Sequence, residues 1–165
     1  MPEPFDPAMH AVMPQRGFAD LRVGDRFVLP SRTITDADFA AFRTVSGDNH
    51  PIHYDVEYCR AHGHPQLLAH GLHVVCFTAA GAGTFPHVIG DALVAFLEQS
   101  SRFLKPVYAG DTLYPALAII ELTPKRTTGV VVMAATVHNQ RRELVLSGEH
   151  KYLLKREGVV PPAAR

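Results

Sequence analysis

Asp48-Asn-His-Pro-Ile-His53 is the stretch of this 165-residue chain that best indicates its fold and its chemistry. It places a carboxylate and an imidazole five positions apart, with Pro51 between them. Residues three or four apart share a helical face, so this spacing does not suit a helix. Pro51 also pushes its predecessor towards an extended conformation. We therefore expect a rigid loop that aims Asp48 and His53 at one point, which suits acid–base chemistry on a bound water.

A short helix is predicted immediately before this loop. Thr35 followed by Asp38 resembles a capping box, with Asp in place of the usual Glu. Apolar residues then recur at every third position and predict one buried helical face of about ten residues. Gly47 is well placed to end the helix in a left-handed conformation. The apolar positions expected in the core are Phe39, Phe42 and Val45.

Two further helices are predicted after the loop. Asp55 is suited to cap a short helix that runs to about Ala61. From His70 to about Ala82 the chain is apolar nearly all round and rich in small residues. A helix of this composition is usually buried on every side.

The second half of the chain has the composition of β-strands. Four segments are rich in Val, Ile, Leu, Thr and aromatic residues, and turn residues separate them. They cover residues 92–104, 111–123, 129–138 and 143–154. Short turns favour antiparallel pairing, so we expect an α+β fold in which an antiparallel sheet wraps around one buried helix.

Length and charge limit the classes of protein to consider. The chain predicts one domain at residues 19–156, an N-terminal arm at 1–18 and a C-terminal tail at 157–165. Lys plus Arg and Asp plus Glu both number 16, so the formal net charge is zero. This balance does not favour nucleic acid or an anionic membrane surface as a partner.

The expected location is the cytoplasm. The apolar runs are far shorter than the roughly 20 residues that a membrane-spanning helix needs, and the first residues do not resemble a secretory signal. The two cysteines lack the spacing of a paired motif, which favours free thiols in a reducing compartment.

With these residues placed, the chain resembles the MaoC-like dehydratases, the (R)-specific enoyl-CoA hydratase branch of the hot-dog fold. The likeness spans about residues 20–155 and follows an ordered series of motifs. The similar motifs are Ser46-Gly-Asp-Asn-His-Pro-Ile-His53, the His70-Gly71 pair, Phe103-x-x-Pro106-Val107-x-x-Gly110-Asp111, and Asn139-Gln140 with Gly148.

The resemblance implies a hot-dog fold in which the catalytic loop lies on an overhanging segment. It further implies a hydro-lyase that adds water to, or removes it from, a 2-enoyl thioester such as an acyl-CoA. Asp48 and His53 would each hold the water, and the backbone N–H of Gly71 would bind the thioester carbonyl. Proteins of this fold typically pair two sheets edge to edge, so we expect a homodimer or a dimer of dimers with the site at the subunit interface. No cofactor is expected, because CoA is part of the substrate.

Two departures from the family pattern concern groups that position the water or the substrate. The family usually has Asn two residues after the catalytic Asp, whereas this chain has His50 there and Asn49 before it. Many relatives carry a serine in the central helix that steadies the Asp, and here Thr78 would have to take that part. Asp48 would also need apolar neighbours to become a stronger base.

Other interpretations stay open at this point. Without the resemblance, an Asp and a His in a polar loop are more often turn and cap residues than catalysts. A thioesterase of the same fold and a non-catalytic acyl-thioester-binding module are the alternative functions. Lys105 is the best candidate for a contact with CoA phosphates. The many histidines lack the pairing of a typical zinc site, so no metal is predicted.

Overall fold

The structure, a computed structural model, describes residues 5–7 and 10–157 of the chain. The predicted tail at 157–165 lies almost wholly outside the described residues, as does part of the predicted arm at 1–18. Within that arm, Phe18 is buried and Met13 packs against the core. The domain boundaries therefore stay predictions.

Four α-helices and six β-strands form in the described part of the chain. The helices are α1 (Asp36–Ser46), α2 (Val56–Ala61), α3 (Gly71–Cys76) and α4 (Phe85–Ile89). The strands are β1 (Arg26–Val28), β2 (Arg32–Thr33), β3 (Leu93–Phe103), β4 (Thr112–Pro124), β5 (Thr128–Asn139) and β6 (Leu144–Lys155). None of the helices in this part is long and apolar enough to cross a bilayer.

The strands form a single antiparallel sheet in the order β1-β4-β5-β6-β3, with β2 also paired to β4. The four long strands agree with the four predicted strand segments to within about one residue at each end. Strand β3 lies at one edge of this sheet. The predicted α+β class is therefore confirmed.

Apolar side chains on one face of the sheet pack against the helices in two clusters. In one cluster, Val74 of α3 packs with Leu113 of β4 and Val145 of β6. In the other, Phe85 of α4 packs with Leu117 of β4. Burial of these residues is the main favourable term that holds α3 and α4 to the sheet.

Helix α1 begins and ends where the sequence predicts. Thr35 and Asp38 form the capping box, and Gly47 ends the helix with a φ of 69°. Phe39 is buried and Phe42 is half-buried, but Val45 is 86% exposed. The prediction that Val45 belongs to the core was wrong, because the last turn of α1 extends past the packed clusters.

Helix α3 is shorter than the predicted segment from 70 to 82 and is not buried on every side. It ends at Cys76, and Leu72 is 67% exposed. The physical cause of its end is Thr78, whose amide and hydroxyl both donate to the carbonyl of Val75, at 2.9 and 2.8 Å. A side chain that bonds back to the preceding turn competes with helix continuation.

Candidate active site

The end of α1 places Asp48 on an exposed loop. The left-handed turn at Gly47 reverses the chain directly before it. One carboxylate oxygen of Asp48, Oδ1, accepts a hydrogen bond from the amide of His50 at 3.2 Å. The backbone carbonyl of Asp48 accepts one from the hydroxyl of Tyr54 at 3.1 Å. The other carboxylate oxygen, Oδ2, is the one that faces the histidines.

His53 is held firmly on the opposite side of the site. Residues Pro51–His53 form one turn of 3₁₀ helix, so the segment is more regular than the expected loop. The Nδ1 of His53 lies 2.5 Å from the carbonyl oxygen of Leu68. A carbonyl only accepts, so Nδ1 carries the proton and the Nε2 of the neutral ring is an acceptor.

Asp48 and His53 come together as predicted. Oδ2 of Asp48 lies 4.0 Å from Nε2 of His53, too far for a direct hydrogen bond. Both atoms are acceptors, and one water that donates to both would lie about 2.8 Å from each. The two side chains differ in exposure, at 50% for Asp48 and 12% for His53. The expected burial of Asp48 by apolar neighbours is therefore not provided by a single chain.

His70 is a third member of this group that the motif analysis treated only as a landmark. Its Nε2 lies 3.9 Å from Oδ2 of Asp48, and its ring stacks on that of His53 at 3.6 Å between centroids. Tyr54, which the sequence analysis missed, lies 3.0 Å from the same Nε2. Burial, and then the neighbouring His53, lower the pKa of His70 below its usual value. The ring is therefore neutral near pH 7.

Gly71 begins α3 directly after His70. Among the described residues its N–H has no hydrogen-bond acceptor, so the group is available to a ligand. Gly71 and His53 both line a cavity of about 420 Å³, together with Val74, Phe103 and Lys105. The ring of Phe103 lies over Gly71, where a Cβ would come within 2.8 Å of Cζ.

The two residues next to Asp48 have different surroundings. Within the described part of the chain, the side chain of Asn49 makes no hydrogen bond, and it is exposed. The Nδ1 of His50 accepts from the amide of Ile52 at 3.3 Å, so its Nε2 carries the proton and is free to donate. His50 therefore supplies a donor beside the site, although its ring is 6.3 Å from that of His53.

Thr78 does not support Asp48. Its hydroxyl donates to Val75 and lies 3.1 Å from Nε2 of His150, and the residue is 1% exposed. This is a correction to the predicted role. The hydroxyl serves the end of α3 and the buried imidazole of His150 instead.

Lys105 lies at the cavity as expected for a residue that meets the carrier of the substrate. Its Nζ donates to Oε1 of Glu143 at 2.7 Å. Asn139, Lys105 and Arg141 together hold the pKa of Glu143 at about 2, with the Asn139 hydrogen bond the largest cause. A phosphate would therefore have to compete with this carboxylate for Lys105.

Asp48, His53 and His70 are also the residues best placed to hold a metal ion, because their ligand atoms lie within 4.8 Å of one another. Two imidazoles that share one ion must point their in-plane lone pairs at it. The rings of His53 and His70 are instead stacked, with an interplanar angle of 21°. The arrangement suits a hydrogen-bonded water better than a metal.

The antiparallel sheet, the short helix α3 and the adjacent Asp48 and His53 are the arrangement expected of a hot-dog protein. Residues 20–141 match the family described as the MaoC like domain. The chain belongs to this family.

Several proteins similar to this chain carry names of hydratases or dehydratases. The chain is 30% identical over 132 residues to a 3-hydroxybutyryl-CoA dehydratase of Methylorubrum extorquens, covering 80% of each chain. It is 29% identical over 137 residues to a mitochondrial 3-hydroxyacyl-[acyl-carrier-protein] dehydratase of Arabidopsis thaliana, covering 81% of this chain and 78% of that protein.

A solved structure, the unliganded R-hydratase PhaJ1 of Pseudomonas aeruginosa, is 29% identical and superimposes with a TM-score of 0.71. The match covers 90% of this chain and 96% of that one. The hot-dog fold implied by the sequence is thereby confirmed.

Proposed function

We propose that this protein catalyses the reversible hydration of a 2-enoyl thioester, with acyl-CoA as its first candidate substrate. The observation that carries the proposal is the 4.0 Å gap between Oδ2 of Asp48 and Nε2 of His53, both acceptors. A water that donates both of its hydrogens across this gap would keep its lone pairs free to attack, beside the cavity that His53 and Gly71 line.

In the hydration direction, the oxygen of this water forms a bond to C3 of the enoyl group. Its proton passes to Asp48 or His53, and one of these groups returns a proton to C2. Positioned acid–base groups of this kind typically contribute about 10²–10⁴-fold in rate. Dehydration follows the same steps in reverse.

The N–H of Gly71 supplies the second requirement of the reaction. As water attacks C3, negative charge develops on the thioester oxygen, and a donor aimed at that oxygen stabilises it. Removal of one such donor typically costs about 3–4 kcal/mol in barrier height. Two observations support the assignment: this N–H has no acceptor among the residues that the structure describes, and Gly71 lies on the cavity wall.

The carrier of the acyl group is CoA or an acyl carrier protein, since similar proteins are named for both. Both carriers bear phosphate, and Lys105 at the cavity is the proposed contact. Asn49 and His50 are proposed to position the water or the acyl group from the loop side, with the free Nε2–H of His50 as the donor.

A homodimer joined at β3 is part of the proposal. Strand β3 is a sheet edge and exposes Leu93, Val94, Phe96 and Leu97, each at 45–53%. An unpaired sheet edge is a template for pairing with another chain, and a large exposed apolar patch marks an interaction site. Phe103 at the end of β3 lies over Gly71, so a partner on this edge would also enclose the cavity.

The decisive experiment incubates the protein with short, long, branched and dicarboxylic enoyl-CoA thioesters and follows both the enoyl absorbance and the free thiol. We expect the conjugated absorbance to fall with no thiol release. Asp48→Asn should lower kcat by at least about 10²-fold, whereas the matched surface variant Asp91→Asn should not. Thiol release would make the protein a thioesterase. Binding without turnover, unchanged in Asp48→Asn, would make it an acyl-binding module.

A further inference from the structure

Asp48 lies on a loop, residues 46–50, that hydrogen-bonds mainly to the chain segments directly before and after it. Residues 46–50 are all exposed. From outside the loop, the hydroxyl of Tyr54 donates to the backbone carbonyl of Asp48 at 3.1 Å, and the Nε2 of His70 lies 3.9 Å from its Oδ2. An exposed loop has many conformations of similar energy, so the Oδ2 of Asp48 needs such an anchor to face His53.

The orientation of His70 follows from this anchor. The Tyr54 hydroxyl has one hydrogen, which it donates to the Asp48 carbonyl, so the Nε2–H of His70 donates to the Tyr54 oxygen. The Nδ1 of His70 is then a buried acceptor, and within the described part of the chain it has no partner. An unpaired buried polar atom costs about 1–3 kcal/mol, a cost that an apolar residue would avoid.

His70 also supports the catalytic histidine from its face. One side of the His70 ring stacks on His53 at 3.6 Å, and Phe42 packs against it at 4.9 Å. The titratable groups that face His70 are His53, Asp48, Tyr54 and, on its own helix, His73, with Arg43 beyond the Tyr54 ring. Because burial lowers the pKa of His70, its neutral ring places no second charge against the face of His53.

We infer that Tyr54 and His70 are positioning residues of this site, which hold Asp48 and His53 at the separation that binds one water. The inference rests on the proposed hydration. Tyr54 acts through the Asp48 carbonyl. His70 acts through the Tyr54 hydroxyl and through the face of His53.

Tyr54→Phe tests the anchor, because it removes only the hydroxyl and keeps the ring beneath Arg43. We expect kcat to fall about tenfold, the worth of one hydrogen bond, with KM within about twofold. The kcat–pH profile of the variant should also differ in shape from that of the wild type, because Asp48 no longer faces His53. Tyr114→Phe, on an exposed Tyr of β4, is the matched control and should follow the wild-type profile.

Two variants separate the parts that His70 plays. His70→Phe keeps the stacking face and loses the donor, so it should behave like Tyr54→Phe. His70→Gln keeps a donor for Tyr54 and should recover part of kcat. The matched control is His62→Asn, at an exposed position. Two results would overturn the inference in variants that fold. One is a kcat equal to that of the controls, and the other is a rise in KM that accounts for the whole loss of kcat/KM.

An NMR measurement separates this inference from the proposed function. In the wild type we expect the His70 ring as the Nε2–H tautomer, and in Tyr54→Phe we expect the ring resonances of His53 and His70 to shift. If the resonances shift but the protein hydrates no thioester, the positioning role of Tyr54 and His70 stands and the proposed reaction is wrong. If the wild type hydrates a thioester but the resonances do not shift in Tyr54→Phe, the proposed reaction stands and the positioning role is wrong.

Discussion

At the residue scale, the two proposed proton carriers are held with unequal firmness. His53 is fixed in its plane by the Leu68 carbonyl and on its face by His70. Asp48 is 50% exposed, and its Oδ2 has no hydrogen bond among the described residues. The fixed Nε2 of His53 and the more mobile carboxylate of Asp48 can together hold a water in the site before substrate binds. The carboxylate can then adjust as the acyl group enters.

We predict that the proposed reaction needs a glycine at position 71. Gly71→Ala keeps the N–H but adds a Cβ that meets Cζ of Phe103 at 2.8 Å. Phe103 is 54% exposed and can turn away, so we expect the free energy of unfolding to change by less than about 1 kcal/mol. The turned ring and the new methyl group narrow the path of the thioester to the N–H. We expect kcat/KM to fall at least about tenfold in a steady-state assay.

The double variant Gly71→Ala with Phe103→Leu separates two reasons for the glycine. If close approach of the substrate requires Gly71, the double variant stays as slow as Gly71→Ala. Phe103→Leu alone serves as the control. Recovery to the rate of that control would mean that Gly71 only makes room for Phe103.

At the element scale, the parts of the fold that depend on neighbours in sequence could be predicted. The capping box at Thr35 and Asp38 and the end of α1 at Gly47 each involve residues within a few positions, and they are confirmed. The end of α3 was missed because the apolar pattern continues past Cys76, whereas the hydroxyl of Thr78 bonds back to Val75 and also lies against the buried His150, 72 positions away. A propensity pattern does not contain such a contact.

The same distinction explains what was found of the candidate site. Asp48 and His53 lie in one short motif and were predicted as a pair. Tyr54 and His70 act through a hydrogen bond between residues 16 positions apart. Tyr54 follows His53 directly, and the place of His70 before Gly71 was noted. Their partnership, however, is set by how the chain folds back after α2.

The end of α1 provides the prediction at this scale. Gly47 has a φ of 69°, which a side chain tolerates poorly, so Gly47→Ala should cost about 1 kcal/mol in urea unfolding. Asp48 is the next residue, so kcat should also fall. Gly24→Ala, at a φ of 95° with open space around the Cβ position, is the matched control. It should lose similar stability and keep its activity. Equal kcat in the two variants would mean that the turn at Gly47 does not set the position of Asp48.

At the scale of the whole molecule, two features of the single chain are exposed to solvent. Among the described strands, none pairs with the outer edge of β3, and the loop that carries Asp48 is exposed. Both lie near the cavity, since Phe103 ends β3 and His53 follows the loop. A partner chain or a bound substrate would lower the local dielectric and strengthen the interactions that the proposed reaction uses. The cytoplasmic location stays a prediction.

From the buried histidines we predict how the free energy of unfolding depends on pH. Burial is the largest cause that lowers the pKa values of His70, His73 and His150 below the usual 6.5. Below about pH 6.5 the unfolded chain therefore binds more protons than the folded one, so stability falls with falling pH. Between about pH 7.5 and 5.5, each histidine that stays neutral in the folded state should remove up to about 1.4 kcal/mol from the free energy of urea unfolding.

A substitution at one buried histidine tests whether these rings cause the loss of stability at low pH. His73→Phe removes one titrating group and keeps an aromatic ring against Phe42, so its stability should fall less between the two pH values than that of the wild type. His62→Asn, at an exposed histidine, should show the full wild-type loss. A wild-type protein equally stable at both pH values would contradict the prediction.

The edge of β3 provides the prediction about assembly. Leu97→Glu places a charge on this edge at a side chain that is 49% exposed, so a single chain should tolerate it. A dimer joined at β3 would have to bury that charge, so sedimentation should show a dimer for the wild type and a monomer for the variant. Because the proposed partner would enclose the cavity, kcat/KM should fall with the loss of the dimer. Ile120→Glu on β4, at 45% exposure and away from this edge, is the matched control and should remain dimeric and active. A monomeric wild type, or a monomeric Leu97→Glu with full activity, would show that one chain forms the whole site.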